Sequence, residues 1–340
     1  MKPWLWIPAK WAHDLSSYGI EIYSKVFGKS ATPVWNTFTY KNLIFKNRLG
    51  IAGGVDKNAD HLLAWQSLGC GFLEIGTITP EPQKENPGKI IDRDMNTHSL
   101  WNKMGFPSAG ADEVFFNLRN FKEISKTPVF VNIGKNRTTA NESAYNDYIY
   151  LLSKFQSLAD AFVLNISSPN TKGLRDLAKK ENLDLFLNPI MTSAKELNLT
   201  QPLFIKLSPD LETEDLIAII QSCLRHNIDG FILTNTTLSR EGLHSYPSEG
   251  GVSGKPVAEL SKKALKTVVG LCLREKTKKL IISAGGVMTA ADVFERIELG
   301  ADLVQVYTAL IFEGPGFIRK VSDFAEQRQQ QANISKKTAR

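Results

Sequence analysis

The chain has 340 residues, of which 42% are hydrophobic, and its formal net charge is +6. This length and apolar content suffice for the core of one large soluble domain and leave no sequence for a second. No run reaches the roughly 18 apolar residues of a membrane span, and the first residues lack the pattern of a signal peptide. The three scattered cysteines, Cys70, Cys223 and Cys272, have no metal-ligand spacing, so we expect free thiols in a reducing compartment and no metal site.

Residues 1–40 form an amphipathic helical segment at the start of the chain. Residues 1–50 carry seven Lys or Arg against two acidic residues and contain four of the six tryptophans. Apolar residues follow one another here at spacings of three or four, which predicts one apolar stripe along a helix. The stripe consists of Trp4, Ile7, Trp11, Leu15, Tyr18, Ile22 and Val26.

The basic, tryptophan-rich character of this segment permits two main interpretations. Such a helix can lie in a bilayer interface with its aromatic rings at headgroup depth. The stripe can equally pack against the outside of the following domain, because most amphipathic helices of soluble proteins face a core. Nucleic acid binding is a weaker interpretation, since no recognised module accompanies the charge.

Short apolar runs recur through residues 41–322 and predict a repeating fold. Each run is continuously apolar, as in strands buried on both faces of a parallel sheet. Segments with helical spacing, such as Asp215–Arg225 and Ala290–Glu298, separate most of them. Eight such strands alternating with helices predict an α/β fold, a (β/α)8 TIM barrel with an N-terminal helical extension. The predicted strands are Leu49–Gly54, Phe72–Thr77, Val129–Gly134, Phe162–Ser167, Leu203–Ser208, Phe231–Thr236, Leu280–Gly286 and Leu303–Thr308.

Polar residues and glycines fall at the carboxyl ends of these strands. The ends converge on one face of a barrel, which is where active sites of this fold lie. Any one of these residues, taken alone, is more often a turn residue, but eight strands ending in this way indicate a site. They are Gly53, Gly54, Thr77, Asn132, Asn165, Lys206, Thr234, Asn235, Gly285, Gly286, Tyr307 and Thr308.

Residues 323–340 form a basic polar tail. From Gln327 onward the sequence is rich in Gln and Lys, which predicts a solvated, disordered segment. We assign it no function.

The motifs along the barrel, in this order, resemble the dihydroorotate dehydrogenase family, and specifically its quinone-dependent, membrane-associated class 2. One motif alone would carry little weight, but together they span nearly the whole barrel. They are A-G-G-V-D-K (52–57), E-I-G-T-I-T-P (74–80), N-K-M-G-F (102–106), N-I-G-K-N (132–136), N-I-S-S-P-N-T (165–171), I-K-L-S-P-D (205–210), T-N-T-T (234–237), S-G-K-P (253–256), and A-G-G-V followed by V-Q-V-Y-T (284–287 and 304–308).

The resemblance implies an FMN cofactor, with its phosphate near the loops after the last two strands. Lys206 would place a positive charge beside the flavin ring, and a buried lysine requires a partner anion. The implied cofactor-binding residues are Gly53, Gly54, Val55, Asp56, Lys57, Thr77, Asn132, Asn165, Lys206, Thr234, Gly254, Gly286, Tyr307 and Thr308.

The resemblance also implies oxidation of dihydroorotate to orotate, a step of de novo pyrimidine (UMP) biosynthesis. Amide side chains complement a cyclic imide, and Lys57 can pair with its carboxylate. The implied substrate-binding residues are Lys57, Asn102, Lys103, Met104, Gly105, Phe106, Asn165, Asn170, Asn235 and Thr236.

Ser168 matches the position of the catalytic base in this family, where class 1 members have cysteine. A serine hydroxyl is a poor base, so it must pass its own proton onward as it accepts one from carbon C5. A water near Thr171 and Phe106 is the expected next acceptor.

In class 2 the N-terminal extension forms a cap over a tunnel through which ubiquinone or menaquinone reoxidises the flavin. His13 and Arg93 match polar residues of that tunnel, although the sequence around Arg93, P-G-K-I-I-D-R-D, departs from the family pattern. The resemblance implies a monomer bound peripherally at the cytoplasmic face of the cell membrane. A soluble class 1 enzyme using fumarate or a nicotinamide, and a non-catalytic flavin-binding or scaffolding protein, remain alternatives.

Overall fold

The structure is a computed structural model that describes residues 2–29 and 31–338, with side chains described as far as residue 334. Its strands are β1 (Phe38–Tyr40), β2 (Leu43–Phe45), β3 (Leu49–Asp56), β4 (Phe72–Ile78), β5 (Ile91–Asp94), β6 (Ser99–Asn102), β7 (Val129–Ile133), β8 (Ala161–Asn165), β9 (Leu203–Leu207), β10 (Gly230–Leu233), β11 (Gly251–Gly254), β12 (Leu280–Ser283) and β13 (Leu303–Val306). Its α-helices are α1 (Ala9–Phe27), α2 (Leu62–Ser67), α3 (Ala111–Ile124), α4 (Ala144–Phe155), α5 (Lys180–Glu196), α6 (Thr213–Arg225), α7 (Ala258–Arg274), α8 (Ala290–Glu298), α9 (Thr308–Glu313) and α10 (Phe317–Thr338).

Eight parallel strands close into a barrel, which confirms the predicted fold. Their order around the barrel is β3, β4, β7, β8, β9, β10, β12 and β13, after which the barrel closes on β3. Each predicted strand overlaps one of these, with ends that differ by at most three residues, and the two predicted helices correspond to α6 and α8. The agreement follows from burial, because a strand covered on both faces is a nearly continuous apolar run.

The interior of the barrel is built in layers, apolar at the bottom and polar at the top. The β1–β2 hairpin closes the bottom, where the Phe45 ring packs on Phe72 and Phe130 at centroid distances of 5.8 and 6.1 Å. Phe72 lies on β4 and Phe130 on β7. Two residues further along these strands, the side chains are Glu74 and Asn132. Because side chains in a strand alternate between faces, these polar groups lie directly above the aromatic layer.

A small antiparallel sheet stands beside the mouth of the barrel, in the order β11, β6, β5. Gly251 of β11 pairs with Asn102 of β6, and Gly254 pairs with Ser99. This sheet brings the chain segment after β6 and the turn after β11 to the same opening as the barrel strand ends.

The helix α1 presents its apolar stripe to the outside. Ile20 is buried against the barrel, whereas most of the other large apolar residues of the helix face solvent. The prediction that the stripe packs against the outside of the following domain is therefore wrong for those residues of the stripe that are exposed. Five residues of the stripe, Trp11, Leu15, Tyr18, Ile22 and Val26, are between 56% and 70% exposed.

The first two residues of the predicted stripe do not belong to α1. Trp4 lies in a separate 3-10 helix, Pro3–Leu5, and α1 begins only after Pro8. The Trp4 indole N–H donates to the carbonyl of Ile311 at 2.7 Å, so this ring is held against the barrel. Among the described helices, none has both the length and the apolarity needed to cross a bilayer.

The prediction of a disordered tail after Gln327 is wrong for the described residues, because α10 continues to Thr338. The N-terminal turns of α10 are anchored by buried residues such as Phe317, Ile318 and Val321. A helix fixed at one end can continue into a polar sequence of good helix formers. Residues 339–340 lie outside the described part.

Candidate active site

A cavity opens at the carboxyl ends of the barrel strands and collects most of the predicted site residues. Ser168, Lys57 and Lys206 all line it, although they come from three separate parts of the sequence. The other predicted residues that line this cavity are Gly53, Gly54, Thr77, Asn102, Met104, Gly105, Phe106, Asn165, Asn170, Thr234, Asn235, Thr236, Gly254, Gly286, Tyr307 and Thr308.

Four of the predicted cofactor- or substrate-binding residues do not line this cavity. Asn132 lies beneath it and is fully buried. Val55 and Asp56 line a neighbouring cavity, and the Asp56 carboxylate accepts hydrogen bonds from two backbone N–H groups of residues 60 and 61 at 2.9 Å each. Lys103 extends to the surface, where its ammonium forms an ion pair with Glu249.

A buried polar cluster forms the floor of the cavity. The Lys206 ammonium lies 3.1 Å from Oε1 of Glu74, which is the anion that a buried lysine requires. Asn132 donates to the same oxygen at 2.6 Å, and the amide of Gln305 donates to the other carboxylate oxygen. The floor is therefore a network of charge-assisted hydrogen bonds in which the position of Lys206 is fixed.

Glu74 and Gln305 were missed as site residues by the sequence analysis, although a signal was present. Glu74 is the one charged residue in the apolar strand F-L-E-I-G-T-I, and Gln305 is the one polar residue in L-V-Q-V. A polar residue in the middle of a strand buried on both faces must have a buried partner. Such a position in the upper layer of a barrel therefore indicates a site.

Amide and hydroxyl side chains form one wall of the cavity. Asn165 donates to the hydroxyl of Thr77 at 2.8 Å, and Asn235 donates to the hydroxyl of Ser167 at 2.9 Å. Asn170 donates to Asn102 at 2.9 Å. These contacts restrict the rotation of amides that line the cavity.

Several buried polar atoms in or near the cavity have no partner among the described residues. They are Oδ1 of Asn170, Oγ1 of Thr236, Oγ1 of Thr171 and Oε1 of Gln305. Unsatisfied buried polar atoms are rare in folded proteins and are costly. Since three of these residues line the cavity, the atoms indicate a polar ligand with several hydrogen-bonding groups.

Ser168 lies in the turn that follows β8 and is buried. Pro169 follows it and favours an extended backbone at Ser168. The Ser168 hydroxyl accepts from the backbone N–H of Asn170 at 3.2 Å, which holds the oxygen at the cavity wall. The sequence S-S-P-N-T thus fixes the hydroxyl by local geometry.

The segment after β6 also lines the cavity, through Met104, Gly105 and Phe106. Phe106 adopts a left-handed backbone conformation with φ of 57°, which is unfavourable for a bulky residue. The side chain of Gln83 holds this turn by donating to the carbonyls of Gly105 and Phe106 at 3.1 and 2.8 Å. Local strain stabilised in this way is typical of a ligand-binding loop.

Glycines form the far end of the cavity, at the turns after β11 and β12. Gly254, Gly285 and Gly286 have φ values of 92°, 95° and 74°, which L-residues rarely adopt. The Thr308 hydroxyl reaches the same end and donates to Ser253 at 2.8 Å. Backbone N–H groups in such turns can bind an anion closely, because no side chain intervenes.

A second cavity of about 700 Å³ lies between α1 and the barrel, and Lys57 and Tyr307 line both cavities. His13 and Arg93, the predicted tunnel residues, line this second cavity. Arg93 donates to the carbonyl of Trp4 at 2.9 Å and also to that of Ile7. The volume of the cavity is in the range of pockets that hold drug-sized ligands.

The polar groups near the junction of the two cavities have shifted pKa values. Burial lowers the pKa of Lys57 to about 8, against a smaller opposing effect of Asp56. Burial and the Lys57 charge lower the pKa of His13 to about 4, so its imidazole is neutral near pH 7. The two side chains are in contact, since Nε2 of His13 lies 3.5 Å from Nζ of Lys57.

Comparison with known proteins identifies similar sequences and structures. The sequence profile described as "Dihydroorotate dehydrogenase" matches residues 36–328. The dihydroorotate dehydrogenase (quinone) of Dechloromonas aromatica (strain RCB) is 42% identical over 291 residues, covering 83% of this chain and 82% of that protein. The protein of the same name from Haemophilus ducreyi (strain 35000HP / ATCC 700724) is 38% identical over 322 residues, covering 92% and 94%.

The fold is also similar to a solved structure. The crystal structure of DHODH from Eimeria tenella in complex with ferulenol superposes with a TM-score of 0.86 and 31% sequence identity. The match covers 96% of this chain and 92% of that chain.

Proposed function

Since the chain belongs to the dihydroorotate dehydrogenase family, in its quinone-dependent class, we infer that it oxidises dihydroorotate to orotate and transfers the electrons to a quinone. The observation that carries this inference is that Ser168, Lys57 and Lys206 line one cavity. These side chains supply a hydroxyl and two ammonium groups. Binding alone would not require this combination.

The cavity fits FMN by the chemistry of its lining. Gly254, Gly285 and Gly286 form a turn region suited to a phosphate, and the unpaired Oε1 of Gln305 offers an acceptor near the floor. Lys206, fixed by Glu74, provides the positive charge that favours a reduced, anionic flavin. When bound, FMN supplies the acceptor for a hydride from carbon C6 of the substrate.

Dihydroorotate fits the amide wall of the same cavity. It is a cyclic imide with a carboxylate, and the side chains of Asn102, Asn170 and Asn235 present both donors and acceptors. The unpaired Oδ1 of Asn170 is an acceptor for a ring N–H. Lys57 is the cation that pairs with the carboxylate, and it lies on the same cavity surface.

Ser168 takes the proton from carbon C5. Its oxygen already accepts one hydrogen bond, from the Asn170 N–H, which stabilises negative charge that develops on it. Because a serine hydroxyl is a weak base, its own proton must leave as the carbon proton arrives. The buried, unpaired hydroxyl of Thr171, in the same turn, is the nearest candidate in sequence for holding the water that receives it.

The second cavity is the proposed quinone site, and α1 is the proposed membrane contact. The cavity shares Lys57 and Tyr307 with the first one, so a quinone bound there would approach the flavin site closely. Leu15, one of the exposed apolar residues of α1, lines this cavity, so a quinone leaving a bilayer in contact with α1 would enter there. The binding would be peripheral.

The test is a pair of half-reactions observed under anaerobic conditions. Purified full-length protein should be yellow, should bleach on addition of dihydroorotate, and should regain its colour with a quinone but not with fumarate or NAD. Colour recovered by fumarate or NAD would identify a class 1 activity. Failure to bleach would exclude dihydroorotate oxidation.

A further inference from the structure

Arg296 is a fully buried arginine directly behind the glycine turn at the far end of the cavity. It belongs to α8 and is only 1% exposed. One guanidinium nitrogen donates to the hydroxyls of Ser261 and Ser283 at 2.7 and 3.0 Å. The second terminal nitrogen of the guanidinium, Nη2, donates to the carbonyls of Ala258 and Gly285 at 3.1 and 3.0 Å.

All four of these acceptors are neutral, so the charge of Arg296 lacks a paired anion among the described residues. The nearby acids are engaged elsewhere: Glu259 and Glu295 both pair with Lys262, at 2.7 and 3.2 Å. Asp292 accepts from backbone N–H groups at the start of its helix. Burial lowers the pKa of the Arg296 guanidinium, but an arginine remains charged. A buried charge without a counter-charge is costly, which makes this arrangement unexpected in a purely structural residue.

The contact with Gly285 fixes the direction of the next backbone N–H group. The Gly285 carbonyl accepts from Arg296 and, at 2.7 Å, from the Ser261 hydroxyl. In a trans peptide the C=O and the following N–H point in opposite directions. The Gly286 N–H therefore points away from Arg296, and Gly286 is one of the residues that line the cavity.

We propose that Arg296 is a positioning residue for the phosphate of FMN, holding the Gly285–Gly286 peptide with its N–H towards the phosphate and providing the positive charge behind it. The inference rests on the proposed function, because that function supplies the anion. It explains both the missing counter-charge and the neutral hydrogen-bond partners. A guanidinium donating to the Gly285 carbonyl also polarises the peptide, which strengthens the Gly286 N–H as a donor.

Riboflavin provides the direct test, because it has the same ring system and ribityl chain as FMN but no phosphate. Full-length protein and its variants are equilibrated with FMN or with riboflavin, and the two dissociation constants are measured by flavin fluorescence. Arg296→Met should reduce the preference for FMN over riboflavin at least about tenfold, since it removes the charge behind the glycine turn. Riboflavin affinity should change by less than about threefold. Arg296→Lys, which keeps the charge but not the forked donor geometry, should recover part of the preference.

Arg328→Met is the matched control. Arg328 lies on α10, is partly exposed, and pairs with Glu298 at the end of α8 at 2.6 Å. Arg328→Met changes the net charge of the protein by the same amount as Arg296→Met, but it should leave the preference for FMN over riboflavin unaltered. Circular dichroism establishes that each variant folds. If Arg296→Met does not fold, a comparison of Arg296→Gln with Arg296→Lys tests whether the charge at this position sets the preference for FMN over riboflavin.

Two results would overturn the proposal. One is an equal loss of affinity for both flavins in the charge-removing variant, which would mean that Arg296 only maintains the fold. The other is an unchanged FMN preference. A wild-type protein that binds neither flavin would refute the proposed function itself, and the role of Arg296 with it.

Discussion

The carboxylate of Glu74 and the ammonium of Lys206 form an ion pair of 3.1 Å inside the barrel, with Glu74 completely buried and Lys206 nearly so. The two residues lie on β4 and β9, which are not neighbouring strands. The pair therefore crosses the interior of the barrel and fixes the charge beside the proposed flavin site.

Glu74→Gln should lower the free energy of unfolding by about 3 kcal/mol, because it leaves Lys206 buried without an anion. The double variant Glu74→Gln with Lys206→Met should regain at least half of this loss, since neither charge then remains. Urea denaturation of the full-length protein measures the free energy of unfolding of the single and the double variant. Lys154→Met is the control, because its pair with Asp112 is exposed and should contribute about 1 kcal/mol or less. A loss in Glu74→Gln no larger than in this control would contradict the argument.

Ser168→Ala should retain the flavin and slow its reduction by dihydroorotate at least about a hundredfold, the scale of general base catalysis. Stopped-flow absorbance under anaerobic conditions measures the rate. Ser208→Ala is the control, because Ser208 is also a buried serine at a strand end but contacts Asp210 and does not line the cavity. Unchanged reduction in the Ser168 variant would remove this residue from the mechanism.

The affinity for orotate should fall as the pH rises above about 8. Burial lowers the pKa of Lys57 to about 8, so the free protein loses this positive charge above that pH. A bound carboxylate favours the charged form, so binding should be constant below about pH 8 and weaken above it. Spectral titration with orotate between about pH 6.5 and 9 measures the effect. Lys57→Arg stays charged and should show no such decline; an equal decline in that variant would assign the titration to another group.

His13→Ala should raise the KM for the quinone without changing the rate of flavin reduction by dihydroorotate. His13 lines the second cavity but not the first. Because its pKa is lowered to about 4, its imidazole stays neutral, and the quinone half-reaction should show no titration of this residue between about pH 5.5 and 7.5. His244→Ala, an exposed histidine, is the control. A change confined to the dihydroorotate half-reaction would exclude His13 from a quinone site.

The double variant Trp11→Ser with Ile22→Ser should weaken binding to lipid vesicles at least about tenfold, because it removes two exposed apolar side chains from one face of α1. Vesicle co-sedimentation measures binding, and the flavin content checks the fold. Leu185→Ser, an equally exposed apolar residue on α5, is the control. Unaltered vesicle binding in the double variant would exclude this face as the membrane contact.

The barrel and most of the residues that line its cavity could be predicted from the amino-acid sequence. Strand positions are readable because a strand buried on both faces is predominantly apolar, and Val129–Ile133 illustrates this with four apolar residues among its five buried ones. The ends of such strands must meet at one face of a closed barrel, so the sequence alone was enough to assign Asn165, Lys206 and Thr234 to one site.

The contacts between side chains and the direction in which α1 presents its apolar stripe are visible only in the folded structure. Glu74 and Lys206 are 132 residues apart, and their contact depends on how the barrel closes. An apolar stripe does not reveal what it faces, and it is the exposure of residues such as Trp11 and Ile22 in the folded chain that shows the outer side of α1 to be apolar. The missing counter-charge of Arg296 likewise becomes visible only when its neighbours are in place. These features depend on contacts between distant segments, for which local sequence patterns contain no information.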